Sequence, residues 1–451
     1  MARSTNLLVL ATGLLLIFGQ TAHVPAATQV AIGAAILATL AQWRTVPVMA
    51  RIFVVAALVL GPAVALWFPR RIGELHAALI QGVAFAVLLS TIGVLRHAVR
   101  HSAIAQRAAR FLVSVPRRGR YAAVNVGSHF LSLLFNVGII ALIGELLGSG
   151  DKARMPKRQR QELLLAGMRG TVLMTIWSPM GLGFAIVTTG IDRLDPVRFL
   201  VLSFLSAILL LALTCFVFGR SDDGSEDRSA DGAPQSSKPV WAILAVSAAL
   251  LAATILLHEF QGMSFILATA AVIPLFSIVW VMFEPATEPK PLVVHLAGMF
   301  RGLTDMRGES AIFLSANVIG AAISICVREQ AFWGAVQNGT YPDLAIIGLC
   351  LLIVPLAGAL MIPHSIFVVL LVQLFGHGTT GAGHPMTLAL ALTLGWAMAI
   401  AVSPISAMSL ITGSLTGVSS HVVGLSWNAR FALLLLVCSS LLVAGAYALG
   451  L

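Results

Sequence analysis

Charge is scarce in this chain. Asp, Glu, Lys and Arg make up 10% of its 451 residues, whereas soluble domains carry roughly 25%. Set against a hydrophobic content of 58%, that scarcity excludes a water-soluble globular fold, because no aqueous core takes up so much apolar sequence. Cysteine is scarce too. Cys215, Cys326, Cys350 and Cys438 each sit alone in an apolar segment, which argues against a disulfide framework or a thiolate metal centre and reads as four small buried hydrophobes. Acidic residues are outnumbered 18 to 28 by Lys and Arg. That surplus does not indicate nucleic acid, because the basic residues fall in short connectors between apolar runs, the pattern of residues held on the cytoplasmic side of a membrane. Ligand clusters at helical spacing, such as His-Glu-x-x-His, are missing. No metal site, catalytic residue or cofactor is therefore expected, and a membrane-embedded enzyme is a minor alternative.

What is present is apolar sequence in lengths that suit a bilayer. A span takes about 20 residues, because the hydrocarbon is about 30 Å thick and each helical residue rises about 1.5 Å. Spans are expected near 5–20, 24–41, 52–68 and 74–95. The first also fits a cleaved leader, although apolar sequence resumes at once. Over 97–115 the pattern changes: Ile104, Ala108, Phe111, Leu112 and Val115 share one face and Arg100, Arg107 and Arg110 the other, as in an amphipathic helix on the cytoplasmic surface.

The apolar run 121–148 lies between two basic connectors, one with Arg117, Arg118 and Arg120, the other with Lys152, Arg154, Lys157, Arg158 and Arg160. If both are cytoplasmic, the run enters and returns as a re-entrant hairpin with its tip near Phe135-Asn136-Val137-Gly138. Such a tip is tolerated only inside protein or beside a watery cavity. The next span, 161–190, is interrupted at Trp177-Ser178-Pro179-Met180-Gly181, where Pro removes a donor and Gly weakens the helix. A span near 197–219 and a polar, acidic, Ser-rich cytoplasmic linker over 220–239 close the first half. After spans near 240–258 and 263–283, a cytoplasmic connector with Lys290, Arg301 and Arg307 and a span near 310–327, the second half repeats the plan with a hairpin over 344–376, interrupted at Met361-Ile362-Pro363-His364-Ser365, a broken span over 386–417 containing Ser403-Pro404-Ile405-Ser406, and a last span over 431–449. Ser178-Pro179 and Ser403-Pro404 differ by 403 − 178 = 225 positions, as do Gly170 and Gly395. Matched breaks in halves of opposite orientation mark an inverted repeat.

The fold expected is thus an all-α polytopic membrane protein: an inverted repeat with about eleven transmembrane helices, two re-entrant hairpins and two broken helices. Its parts are the first spans (1–51), a first repeat (52–219), the linker (220–239) and a second repeat (240–450), with the amino terminus cytoplasmic. Arg70 and Arg71 fall on the outer side, against the charge rule.

In order rather than identity, the chain from about Ile52 to Leu449 resembles the ion transporter superfamily, which includes divalent anion/sodium symporters, arsenite pumps and some sodium/proton antiporters. The surface helix followed by Phe130-Leu131-Ser132-Leu133-Leu134-Phe135-Asn136 looks like that group's first hairpin. The resemblance implies secondary transport across a bacterial inner membrane by a module moving past a dimeric scaffold, with a coupling ion, Na+ or H+. The dicarboxylate symporters carry Ser-Asn-Thr at both tips; this chain does not, so neither that substrate nor sodium coupling follows. Lipids and a second copy are the other partners implied.

Independently of family, half-helices that start near mid-membrane aim free amides and positive dipole ends at one region, where an anion binds without a buried lysine. The candidates are Asn136, Gly138, Ser178 and Gly181 in the first half and His364, Ser365, Ser403 and Ser406 in the second. The bland reading of the Ser and Gly residues is close helix packing. Arg169, inside the broken helix, is a possible charge partner for solute or for Glu145, or it snorkels to the surface. His129 and His364 are possible proton acceptors. A carboxylate or oxyanion is the expected solute. A cation/proton antiporter is the runner-up, although it would call for acidic residues at the tips.

Overall fold

The computed structural model describes residues 2–99, 102–148, 155–219, 236–283 and 291–451. Arg100, Lys152, Arg154, Lys290 and most of the expected linker lie outside them. Four helices come first, α1 (Ala2–Thr21), α2 (Pro25–Ala41), α3 (Val48–Trp67) and α4 (Ile72–Val99). Pro25 opens α2 and Pro47 caps α3, positions where a missing amide costs little. The amphipathic α5 (Ala103–Ser114) follows, its first turn capped by Ser102, whose hydroxyl accepts from the Ala105 amide at 3.0 Å. Then come α6 (Arg117–Phe135), α7 (Gly138–Gly148), α8 (Lys157–Met174), α9 (Leu182–Gly190) and α10 (Pro196–Phe218).

The second half holds α11 (Lys238–Gln261), α12 (Phe265–Phe283), α13 (Leu292–Gly302), α14 (Arg307–Arg328), α15 (Ala331–Gln337), α16 (Asp343–Ala359), α17 (His364–Phe375), α18 (Thr379–Gly383), α19 (Pro385–Val402), α20 (Ala407–Thr416) and α21 (Ala429–Ala448). A π-helical stretch, Val422–Trp427, precedes α21. Among the described residues there is no strand, and nine helical segments are long and apolar enough to cross a membrane. The 17-residue α2 and the interrupted pair α8 and α9 bring the crossings to eleven. The chain is an all-α polytopic membrane protein.

The 225-residue offset holds at the level of backbone geometry. Asn136 ends α6 with φ +47°, and Met361, 225 positions later, turns the second hairpin with φ +59°. Gly181 and Ser406, also 225 apart, are the extended N-caps of α9 and α20. Both hairpins therefore reverse, and both broken helices restart, at equivalent positions.

Helices in lipid gain nothing from burying apolar surface against each other, so they associate where small residues let backbones approach. A Cβ at Gly170 would lie 2.0 Å from the Asn125 carbonyl oxygen, which locks α8 on α6, and one at Gly93 would lie 2.2 Å from the Gly302 oxygen, which locks α4 on α13. Two features depart from the sequence reading. The apolar face of α5 is buried against α6, α7 and α11, so protein rather than lipid covers it. The connector before α14 contains α13, too short to register as a span. Arg71, whose position the charge rule disfavours in the sequence reading, is held by Glu74 (3.0 Å) and Glu329 (3.2 Å), and Arg328 also pairs with Glu74. The Glu329 and Glu74 carboxylates raise the Arg71 pKa above its ordinary value.

Candidate solute site

The half-helices pack crosswise. The second arm of the second hairpin, α17, lies against α9, the restart of the first broken helix; α7, the second arm of the first hairpin, lies against α20. Glycine permits both contacts: a Cβ at Gly190 would lie 2.2 Å from Val372, and one at Gly144 would lie 2.5 Å from Leu415. Trp396 of α19 ties the second tip to the first break. Its ring meets the His364 imidazole edge-on at 4.8 Å, and a Cβ at Gly183, one residue into α9, would touch the same indole at 3.0 Å.

Among the described residues, four of the predicted polar groups, the side chains of Asn136, His364, Ser365 and Ser403, have no hydrogen-bond partner. The Asn136 carboxamide is exposed at the first tip with no side-chain hydrogen bond, and the His364 ring nitrogens have none either. The Ser403 hydroxyl is fully buried at the second break and bonds to nothing, which costs free energy unless a ligand or water completes it. Ser178 and Ser406 serve the backbone. Ser178, also fully buried, accepts from the Met180 amide at 3.3 Å, and Ser406 caps α20 through the Ser409 amide at 3.2 Å. Gly181 is needed sterically, since a Cβ there would lie 2.9 Å from the Ser178 oxygen, whereas Gly138 faces open space. Ser365 is buried in the first turn of α17.

Arg169 does not meet Glu145, which is exposed on α7. Instead its guanidinium donates to Asn428 Oδ1 (3.2 Å), the Tyr121 hydroxyl (3.0 Å) and the Trp427 carbonyl (3.2 Å), and it lies over the Phe218 ring at 4.2 Å. It is a buried brace joining α8 to α6, α10 and the start of α21, and Asn428 in turn donates to the Ala401 carbonyl in the last turn of α19 (3.2 Å), just before the second break. His129 is a brace too. The Trp177 indole donates to its Nε2 (3.0 Å), so Nδ1 carries the proton and donates to the Gly170 carbonyl (3.2 Å).

Sequence reasoning missed a cavity of about 590 Å3 between α4, α12 and α14 on one side and α9 and α17 on the other. Glu74 and Arg328 line it, and Gln81 crosses it: its amide donates to Thr189 (3.0 Å), while Gln373 donates to the Gln81 oxygen (3.2 Å). The signal in the sequence was two Gln residues inside otherwise apolar helices.

No protein-family model matches the sequence, and no curated protein matches it. Among solved structures, the chain is similar to the YdaH transporter of Alcanivorax borkumensis, a crystal structure described as having an unusual topology. The TM-score is 0.52 at 16% identity, over 90% of this chain and 99% of that one. At this identity the likeness is one of fold, and it extends over nearly the whole of both chains.

Proposed function

We propose that this protein is a secondary active transporter for a small anionic solute, a carboxylate or an oxyanion, coupled to protons or sodium. The observation that carries the reading is the set of polar groups at the interruptions with no partner among the described residues, Asn136, His364, Ser365 and the buried Ser403 hydroxyl, beside the amino ends of α7, α9, α17 and α20. Those ends present free amides and partial positive charge to an anion. A fold like that of a known transporter supports the same reading. In this proposal the hairpins, broken helices, α10 and α21 form the moving module of an elevator, and α1–α4 with α12–α14 form the scaffold. It is further proposed to be a homodimer of the bacterial inner membrane, amino terminus inside, in the manner of the ion transporter superfamily.

The test is thermal unfolding of the purified protein against a panel of inorganic and organic anions, followed by vesicle flux of any anion that binds. A ligand that binds only the folded state stabilises it by about 2.7 kcal/mol at a hundredfold excess over Kd. At least one anion should raise Tm, and an imposed pH or sodium gradient should drive its uptake. If no anion shifts Tm and none is moved by either gradient, the proposal fails.

A further inference from the structure

Arg70 has no role in the site just described. It stands exposed in the turn Pro69–Arg71, at the end of α4 remote from the basic connectors, where the charge rule disfavours it. Its neighbour Arg71 and the nearby Arg328 are neutralised by Glu74 and Glu329. Arg70 has no carboxylate partner among the described residues. The two helices that this turn joins, α3 and α4, form with α2 and α14 an apolar crevice of about 390 Å3. Gly61 and Pro62 lie inside α3 at its wall, and a Cβ at Gly61 would lie 3.1 Å from Val318, so α3 is drawn onto α14 there. Along α3 the lining runs from Val54 to Ala65. At 1.5 Å per residue that is roughly 16 Å, about half the hydrocarbon thickness and so one leaflet. Beyond Ala65 the helix ends in Trp67, 79% exposed, a residue type that favours the headgroup level. At the same end Gln29 and His76 are hydrogen-bonded to each other at 2.7 Å, and His76 lines the crevice.

We propose that this crevice is a binding site for an anionic phospholipid, with one acyl chain between α2, α3 and α4 and the headgroup phosphate held by Arg70. The apolar length matches one leaflet, and the uncompensated cation at the headgroup end selects a negatively charged lipid over a zwitterionic one. A basic residue at the membrane surface is worth about fivefold in affinity for an anionic lipid.

The test uses the full chain, purified in neutral detergent. Dioleoyl phosphatidylglycerol and dioleoyl phosphatidylcholine, which share acyl chains, are titrated while Tm and lipid adducts by native mass spectrometry are followed. Wild type should bind phosphatidylglycerol about fivefold more tightly. Arg70→Glu, an exposed change, should lose that preference while its lipid-free Tm stays as in wild type. Ala57→Trp, which fills the crevice, should weaken both lipids. Equal binding of the two lipids by wild type, or a preference that survives Arg70→Glu, overturns the proposal. So does a crevice occupied by a second copy, seen as efficient crosslinking between chains at Leu58→Cys that persists when phosphatidylglycerol is in excess.

Discussion

At position 136 the backbone turns with φ +47° and ψ −135°, the first corner of a type II′-like turn, where Gly, Asn and Asp predominate and a sparsely populated backbone costs roughly 1–3 kcal/mol. Backbone geometry alone could therefore account for this Asn. Its counterpart Met361 argues otherwise, because it turns the second hairpin with a positive φ and no carboxamide. Glycine separates the two roles, since it adopts positive φ freely and carries no side chain. Asn136→Gly should unfold at or above the wild-type temperature yet bind the stabilising anion about ten- to a hundredfold more weakly, the value of a lost hydrogen bond to a charged group. Asn136→Ala should bind as weakly and also melt earlier. If Asn136→Gly binds as tightly as wild type, the carboxamide serves the turn and not the ligand.

Elements are where close approach decides the packing. A methyl group at Gly170 would sit 2.0 Å from the Asn125 oxygen and 3.1 Å from the His129 amide nitrogen, so α6 and α8 would have to separate. Overpacking of this kind costs about 1–3 kcal/mol. Gly170→Ala should lower Tm, whereas Gly33→Ala, on an exposed stretch of α2 with nothing within 4 Å, should leave it unchanged or raise it; equal effects would mean that the α6–α8 contact is not tight. Such contacts also mark what the sequence could disclose. The hairpin tips and helix breaks were legible because Pro, Gly and Ser interrupt apolar runs locally, and the same residues place the candidate groups at Asn136, Ser178, His364 and Ser403. The partners of Arg169 were not: Asn428 lies 259 residues away, and no local pattern points to it. Nor was the covering of α5 by protein, because an amphipathic face reads the same whether lipid or another helix lies beneath it. The 11-residue α13 escaped for a third reason, being too short for any hydropathy window tuned to a span.

For the whole molecule, the elevator reading requires one group of helices to slide past another, so the contacts between the groups must be breakable. Among the described residues the polar contacts across the cavity are few, Gln81 to Thr189, Gln373 to Gln81 and the Ser324 hydroxyl to the Gln373 carbonyl at 3.0 Å, but apolar packing also joins the groups: a Cβ at Gly320 of α14 would lie 3.1 Å from Val369 of α17, and Phe184 of α9 meets Phe265 of α12 edge-on at 5.5 Å. The hydrogen bonds are worth about 1 kcal/mol each, and sliding must exchange the packing as well. Within the proposed moving group the outer ends of α9 and α17 are tied more directly, with the Asp192 amide donating to the Gly376 carbonyl at 3.1 Å and Gly190 pressed on Val372. The hairpin arm and the broken helix would therefore travel together while Gln81 stays behind on α4. In a background with Cys215, Cys326, Cys350 and Cys438 replaced by Ala, cysteines at Gln81 and Gln373 joined by a short bis-thiol reagent should abolish vesicle flux of the bound anion, and reduction should restore it. The same linkage should leave equilibrium binding within about twofold, because the second tip, at His364, lies about two and a half turns, roughly 13 Å, from Gln373 along α17. A control linking Gly190→Cys to Val372→Cys, both in the moving group, should leave flux intact. Full flux with the Gln81–Gln373 linkage complete would mean that α17 does not move past α4, and transport would then have to proceed by opening of the hairpins alone.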